Sequence, residues 1–351
     1  MSFGEECMKF KSLMMAGIAA ALLAPPATAQ QYLSPPNAPV PEMPKQTTVT
    51  GKRINRIIDM WLKNQPVYYL QVEASGFGDG KGETAYDMGK RLSATSADYI
   101  TWEMEHGALD FHQLREFMRG LVDGGTTRTG HRTPSVIATL PIQGTVDAVR
   151  ANAWMIQQTL AAGVHGILLC NAESPEAVRA MIEAARYPFA PHVAGLNQGY
   201  RGGGSQAYAS RIWGVTANEY LRRADPWPLN PDGELIFGAK IENPRADANV
   251  ETIVRIPGVA FVEWGPSDHA FFLVGRPGTY PNAQGGEANP AMAAVRRRVL
   301  DASKAAGIRF LNACGANNVE QQLKDGVMIC TGGGSPTADI GRKLTNRTDP
   351  W

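Results

Sequence analysis

Cysteine is scarce in this 351-residue chain: there are four, none in a Cys-x-x-Cys pair, so a cysteine-built zinc site finds no support. No Gly-x-Gly-x-x-Gly turn opens a helix after a strand, and no His-Glu-x-x-His occurs. The glycines of Arg201-Gly-Gly-Gly-Ser205 are not followed by Lys-Ser/Thr, so this is not a P-loop. A Gly-x-Ser-x-Gly elbow for serine hydrolysis is missing as well. Charge is nearly balanced, with 34 basic against 33 acidic residues and a formal net charge of +1. No basic block or aromatic–basic stripe interrupts that balance, so no nucleic-acid partner is expected.

The N-terminus reads as a leader. Lys9 and Lys11 precede the apolar run Leu13 to Ala24, and Ala27-Thr28-Ala29 supplies the small residues of a signal-peptidase site. The run is too short for a comfortable permanent bilayer anchor. Cleavage after Ala29 is expected, with a periplasmic or secreted product and no membrane partner thereafter. Glu5 and Glu6 are unusual in such a region, and Met8 is an alternative start. Loss of Cys7 with residues 1–29 leaves Cys170, Cys314 and Cys330, an odd number, so at least one thiol is free or pairs between chains. All three adjoin apolar runs and read as buried packing residues. Residues 30–51 form a Pro-rich arm, with Pro35, Pro36, Pro39, Pro41 and Pro44.

From residue 52 to 351 the chain alternates strand-like with helix-like blocks. The strand-like runs are 67–72, 99–105, 135–140, 166–170, 235–242, 259–264, 308–312 and 327–330. Most are short and almost continuously apolar, as parallel strands covered on both faces are. Helical periodicity is clearest over 111–121, 146–160, 175–185, 292–306 and 318–324. With 44% hydrophobic residues the chain can build one large core, and eight strand-like runs predict a (β/α)8 TIM barrel. A long aromatic- and Gly-rich insertion, residues 187–232, separates the fourth and fifth strands. It is expected either to roof a pocket with Tyr208, Trp213, Tyr220 and Trp227, or to form a subunit contact.

Two apolar runs end in carboxylates: Glu234 to Glu242, and Gly258 through Trp264 to Asp268. In a parallel barrel the C-terminal strand ends share one rim, where the active site lies. Glu242 and Asp268 could there hold a hard divalent cation through oxygen, or cap helices and join ion pairs instead. His106, ending the second run, could act as acid or base on the same rim. Lys240, two residues before Glu242, faces the same way along a strand. It could supply positive charge to an enolate or carboxylate, form a Schiff base, or pair with the neighbouring carboxylates.

These residues, in this order, resemble the HpcH/HpaI aldolase and citrate lyase family over about residues 53 to 345. Glu105-His106-Gly107 is similar to the family's Glu-His-Gly/Ala, whose His is the catalytic base. Ala185-Arg-Tyr-Pro188 followed by Arg201-Gly-Gly-Gly-Ser205 resembles its Arg-Tyr-Pro and Arg-Gly-x-Gly-Ser segment. Ile241-Glu242 and Gly265-Pro266-Ser267-Asp268 resemble the segments carrying the two metal carboxylates. The resemblance implies a TIM barrel binding Mg²⁺, Mn²⁺ or Co²⁺ and acting as an aldehyde-lyase on a hydroxy-2-oxo acid. His106 and Lys240 would be catalytic, Glu242 and Asp268 metal ligands, and Arg201, Ser205, Ser267 and Thr139 in contact with a small carboxylate substrate. The aromatic segment points to a bulkier substrate, aromatic ones included. Family members form hexamers through an exchanged C-terminal helix, so a homo-oligomer, hexamer or trimer, is implied. Three positions depart from the pattern: Thr139 stands for a carbonyl-polarising Arg, Ala161 for an Asp that orients the His, and Lys240 for a Gln. They leave two other outcomes open: a different metal-dependent reaction such as decarboxylation or hydrolysis, and a ligand-binding module without turnover.

Overall fold

The computed structural model describes residues 53–73, 82–274 and 289–351. The leader over 1–29, the arm over 30–51 and Cys7 lie outside the described residues. Eight parallel strands close into a barrel in chain order, as the alternation predicted. They are β1 (Val67–Glu73), β2 (Tyr99–Glu103), β3 (Ser135–Leu140), β4 (Gly166–Leu169), β5 (Ile236–Ile241), β6 (Val259–Trp264), β7 (Arg309–Asn312) and β8 (Ile329–Thr331). Continuous burial along β2, β3 and β4 follows from their position, with helices outside and side chains filling the interior. Where β5 meets β6, a Cβ on Gly238 would fall 2.3 Å from the Phe261 ring, so only glycine lets that ring fill the barrel.

Helix starts follow side-chain chemistry. Asp110, Ser174 and Asn243 accept backbone N–H bonds at the heads of Phe111–Asp123, Pro175–Ala185 and Pro244–Ile253. The expected single helix over 146–160 is two, Val146–Ala151 and Ala153–Ala161. Asn152 breaks it, its side-chain amide donating to the Ala148 carbonyl at 3.0 Å and competing with helix propagation.

Helix Arg56–Leu62 closes the floor, the end where strands begin. Its Ile57 and Trp61 pack with Trp227 against Val67, Tyr99, Ile137, Leu168, Ile236, Phe261, Leu311 and Ile329. Nearby, Asp98 is buried among Arg56, Arg342 and Arg347 at 3.1, 3.4 and 2.7 Å, tying the C-terminal segment to the barrel. Among the described residues no helix is long and apolar enough to cross a membrane.

The segment 187–232 contains two helices, Gln206–Trp213 and Ala217–Arg223. Its aromatics do not roof the mouth: Trp213 stacks on His165 at 5.7 Å, Trp227 joins the floor, and Tyr187 and Tyr220 flank Arg201. Apolar area goes where it can be buried, and the barrel flank offered that surface. The cysteine reading holds for Cys170, which is buried and free, and is corrected for the other two: Cys314 and Cys330 form a disulfide joining the segments after β7 and within β8. Sixteen positions separate the pair, and only β7–β8 adjacency brings them together.

Candidate active site

Three strand ends deliver the site to the mouth. β2 leads into Met104-Glu105-His106, β5 into Glu242, and β6 into Gly265 and the first turn of helix Pro266–Leu273, which holds Asp268. On β5, Lys240 and Glu242 share a face, as period-two alternation requires. The Lys240 ammonium sits 2.7 Å from Glu105 Oε2, 3.0 Å from Glu242 Oε2 and 3.7 Å from Asp268 Oδ2. His106 Nε2 lies 3.5 Å from Glu105 Oε2 and 3.9 Å from Asp268 Oδ2, with its ring largely in solvent.

Glu242 is fully buried. Its Oε1 accepts the Asn171 N–H at 2.6 Å, from a residue held at φ 48°, a left-handed conformation that asparagine tolerates. Its Oε2 has no hydrogen-bond partner, although Lys240 stands close. A Cβ on Gly265 would fall 2.3 Å from that oxygen, so the β6 backbone presses directly on the carboxylate. Burial raises the Glu242 pKa, with Lys240 opposing. Burial disfavours the charged form of Lys240, yet Glu263, Glu242 and Glu105 together hold its pKa above the ordinary lysine value.

Sequence reasoning missed Glu103, Glu105 and Glu263. Glu105 belonged to the quoted motif but received no role, and it makes the shortest contact with Lys240. Glu103 and Glu105 stand two apart in one strand-like run of the sequence, 99–105, a signal that was available. Glu263 pairs with Lys240 across β5 and β6, which only the register reveals. Burial pushes the Glu263 carboxyl up to about 7. Glu103 Oε1 accepts from Glu105 N at 2.5 Å, His106 N at 3.1 Å and Thr139 Oγ1 at 2.8 Å.

The other expected site residues scatter. Thr139 is buried, its hydroxyl donating to Glu103 and accepting from Met104 N at 3.0 Å. Ser267 is exposed in the first turn beside Asp268, where helical N–H groups point outward. Arg201 is buried, donating to the Tyr220 hydroxyl at 2.8 Å, and Ser205 starts the helix Gln206–Trp213 without capping it. The partners of Arg201 are Tyr220 and Tyr187, away from the Lys240 cluster's own hydrogen bonds and ion pairs. Ala161 ends the helix that feeds β4 from the floor, so it cannot stand where a group would orient His106 at the mouth. Glu105 and Asp268 flank the imidazole there.

The donor set suits a hard divalent cation. One atom each from Glu105, His106 and Asp268 lie within 4.8 Å of one another, and Glu242 Oε2 adjoins that group through the Lys240 ammonium, 3.0 Å away. Glu242, which the sequence paired with Asp268, is engaged by Lys240.

Likeness to solved structures speaks for the fold. The barrel matches an HpcH/HpaI aldolase/citrate lyase family protein from Burkholderia cenocepacia with a TM-score of 0.57 and 20% identity, covering 81% of this chain and 92% of that one. No family model matches the chain. It is 31% identical over 219 residues to a hydroxypyruvate/pyruvate aldolase of Cupriavidus necator, covering 62% of this chain and 67% of that enzyme. The chain belongs to the HpcH/HpaI aldolase/citrate lyase family. A hydroxypyruvate/pyruvate aldolase of Delftia acidovorans is 33% identical over 171 residues, and there this family member spans about half the relative's length, 55%. Family membership supports a lyase.

Proposed function

We propose that this protein is a divalent-metal-dependent aldehyde-lyase that cleaves a hydroxy-2-oxo acid. The observation that carries the reading is the convergence of Glu105, Glu242, Asp268 and His106 from three strand ends. Glu105, Glu242 and Asp268 would hold the cation, with His106 beside them. When bound, Mg²⁺, Mn²⁺ or Co²⁺ supplies Lewis acidity to the substrate's oxygens.

The chain's own residues do the rest. The first-turn N–H groups at Ser267 and Asp268 orient a substrate carboxylate. His106, open to solvent at the rim, takes the hydroxyl proton at a ring nitrogen as the C–C bond breaks and returns one to carbon. Glu103 and Thr139 hold the turn carrying Glu105 and His106.

The leader supports export to the periplasm, and the Cys314–Cys330 disulfide suits an oxidising compartment. The reading includes a homo-oligomer, checked by light scattering. Pyruvate release from 4-hydroxy-2-oxo acids tests the activity. Chelation and His106→Ala should each abolish it; turnover that survives both refutes the assignment.

A further inference from the structure

Among the described residues of the mouth, five carboxylates (Glu103, Glu105, Glu242, Glu263 and Asp268) surround a single fixed cation, Lys240. Its ammonium lies within 3.7 Å of oxygens from three strand ends. A divalent cation bound through those oxygens would sit about 2.0–2.6 Å from each, in the same small space. Two cations cannot share it without strong repulsion, which a dry site magnifies.

The fit of the ammonium is also imperfect. It is 3.0 Å from Glu242 Oε2, yet that buried oxygen receives no hydrogen bond. An ammonium has three directional donors, and none of them is spent on that oxygen. The mismatch leaves a buried carboxylate oxygen open to a different cation.

Lys240 has somewhere else to go. Gly265 closes one side, a Cβ there falling 3.1 Å from Lys240 Cε. Beneath the mouth lies a cavity of about 40 Å³ lined by Tyr69, Thr101, Glu103, Thr139, Lys240 and Glu263, among others. That space admits a group the size of a water molecule, and an ammonium is of that size. Glu263 faces Lys240 across the β5–β6 register, so the cavity already holds a counter-charge.

We propose that Lys240 is a retractable, tethered competitor for the metal. Its ammonium fills the cage of Glu105, Glu242 and Asp268 when no ion is bound, and withdraws into the cavity beside Glu263 when a divalent cation enters. The proposal rests on the metal reading above. It makes the metal affinity of this chain a property of a lysine that ligates nothing.

Calorimetric titration with MnCl2 alone, on the full chain, tests it without reference to turnover. Lys240→Met should bind Mn²⁺ at least tenfold more tightly than the unmodified protein, and Lys240→Gln provides the same readout should the first variant fail to fold. Glu263→Gln should weaken Mn²⁺ binding several-fold when Lys240 is present and leave it unchanged in the Lys240→Met background, because only a retracted ammonium needs that carboxylate. Equal Mn²⁺ affinity with and without Lys240, or an equal Glu263→Gln effect in both backgrounds, overturns the proposal and leaves the metal reading intact. Absence of Mn²⁺ binding in every variant overturns both.

Discussion

Thr139→Val separates a residue that touches substrate from one that positions the site. The change keeps the shape and removes the hydroxyl. Lost with it are the 2.8 Å bond to Glu103 Oε1 and the acceptor for Met104 N–H at 3.0 Å. A hydrogen bond to a charged group is worth about 1.5–3 kcal/mol, and an orphaned buried N–H costs about 1–3. The two effects overlap, since Glu105 N keeps its 2.5 Å bond to Glu103. The expected destabilisation is about 3 kcal/mol by urea titration, or roughly 6–12 °C in Tm. The turn carrying Glu105 and His106 should then shift, lowering kcat about ten- to a hundredfold while KM stays within about threefold. A variant within about 0.5 kcal/mol of the parent, with KM alone raised, would refute the positioning role and restore Thr139 as a substrate contact.

Asp98→Asn strands Arg56, Arg342 and Arg347 on the barrel floor and should lower stability by about 3–5 kcal/mol, measured by denaturant, whereas Glu251→Gln at the exposed Arg298–Glu251 pair should change it by less than about 1 kcal/mol. Burial alone would raise the Asp98 pKa, but Arg347, Arg342 and Arg56 hold it below the ordinary value. Its stabilisation is therefore fully present above about pH 4, the unfolded value, and is lost as pH falls through the lowered folded value, so acid unfolding of the variant should be less steep. Replacing Cys314 and Cys330 together with Ser, which opens a closure between positions 16 apart, should cost about 3 kcal/mol by thermal unfolding.

Burial pattern and punctuation carried the architecture in the sequence. Short apolar runs alternating with amphipathic ones leave a parallel barrel as the natural way to cover every strand, and each of the eight runs overlaps one strand. Boundaries moved by a residue or two where runs ended in polar turns, as when 99–105 became Tyr99–Glu103. Asn152, read as helix, broke its helix because its own side chain offered a competing bond. The order of motifs likewise fixed which strand ends carry His106, Glu242 and Asp268.

What the linear order could not specify is which groups meet. The Cys314–Cys330 bond, the Glu263–Lys240 pairing and the three arginines on Asp98 join residues far apart in the chain or across a register. The aromatic segment had apolar area to bury, and its own residues do not say where; barrel closure placed it on the flank and floor. The bond from the Thr139 hydroxyl to Glu103 exists because β2 and β3 lie side by side. Local patterning determines elements through propensity and periodicity. Electrostatic partners, by contrast, are chosen by distance, and distance exists only once the barrel has closed.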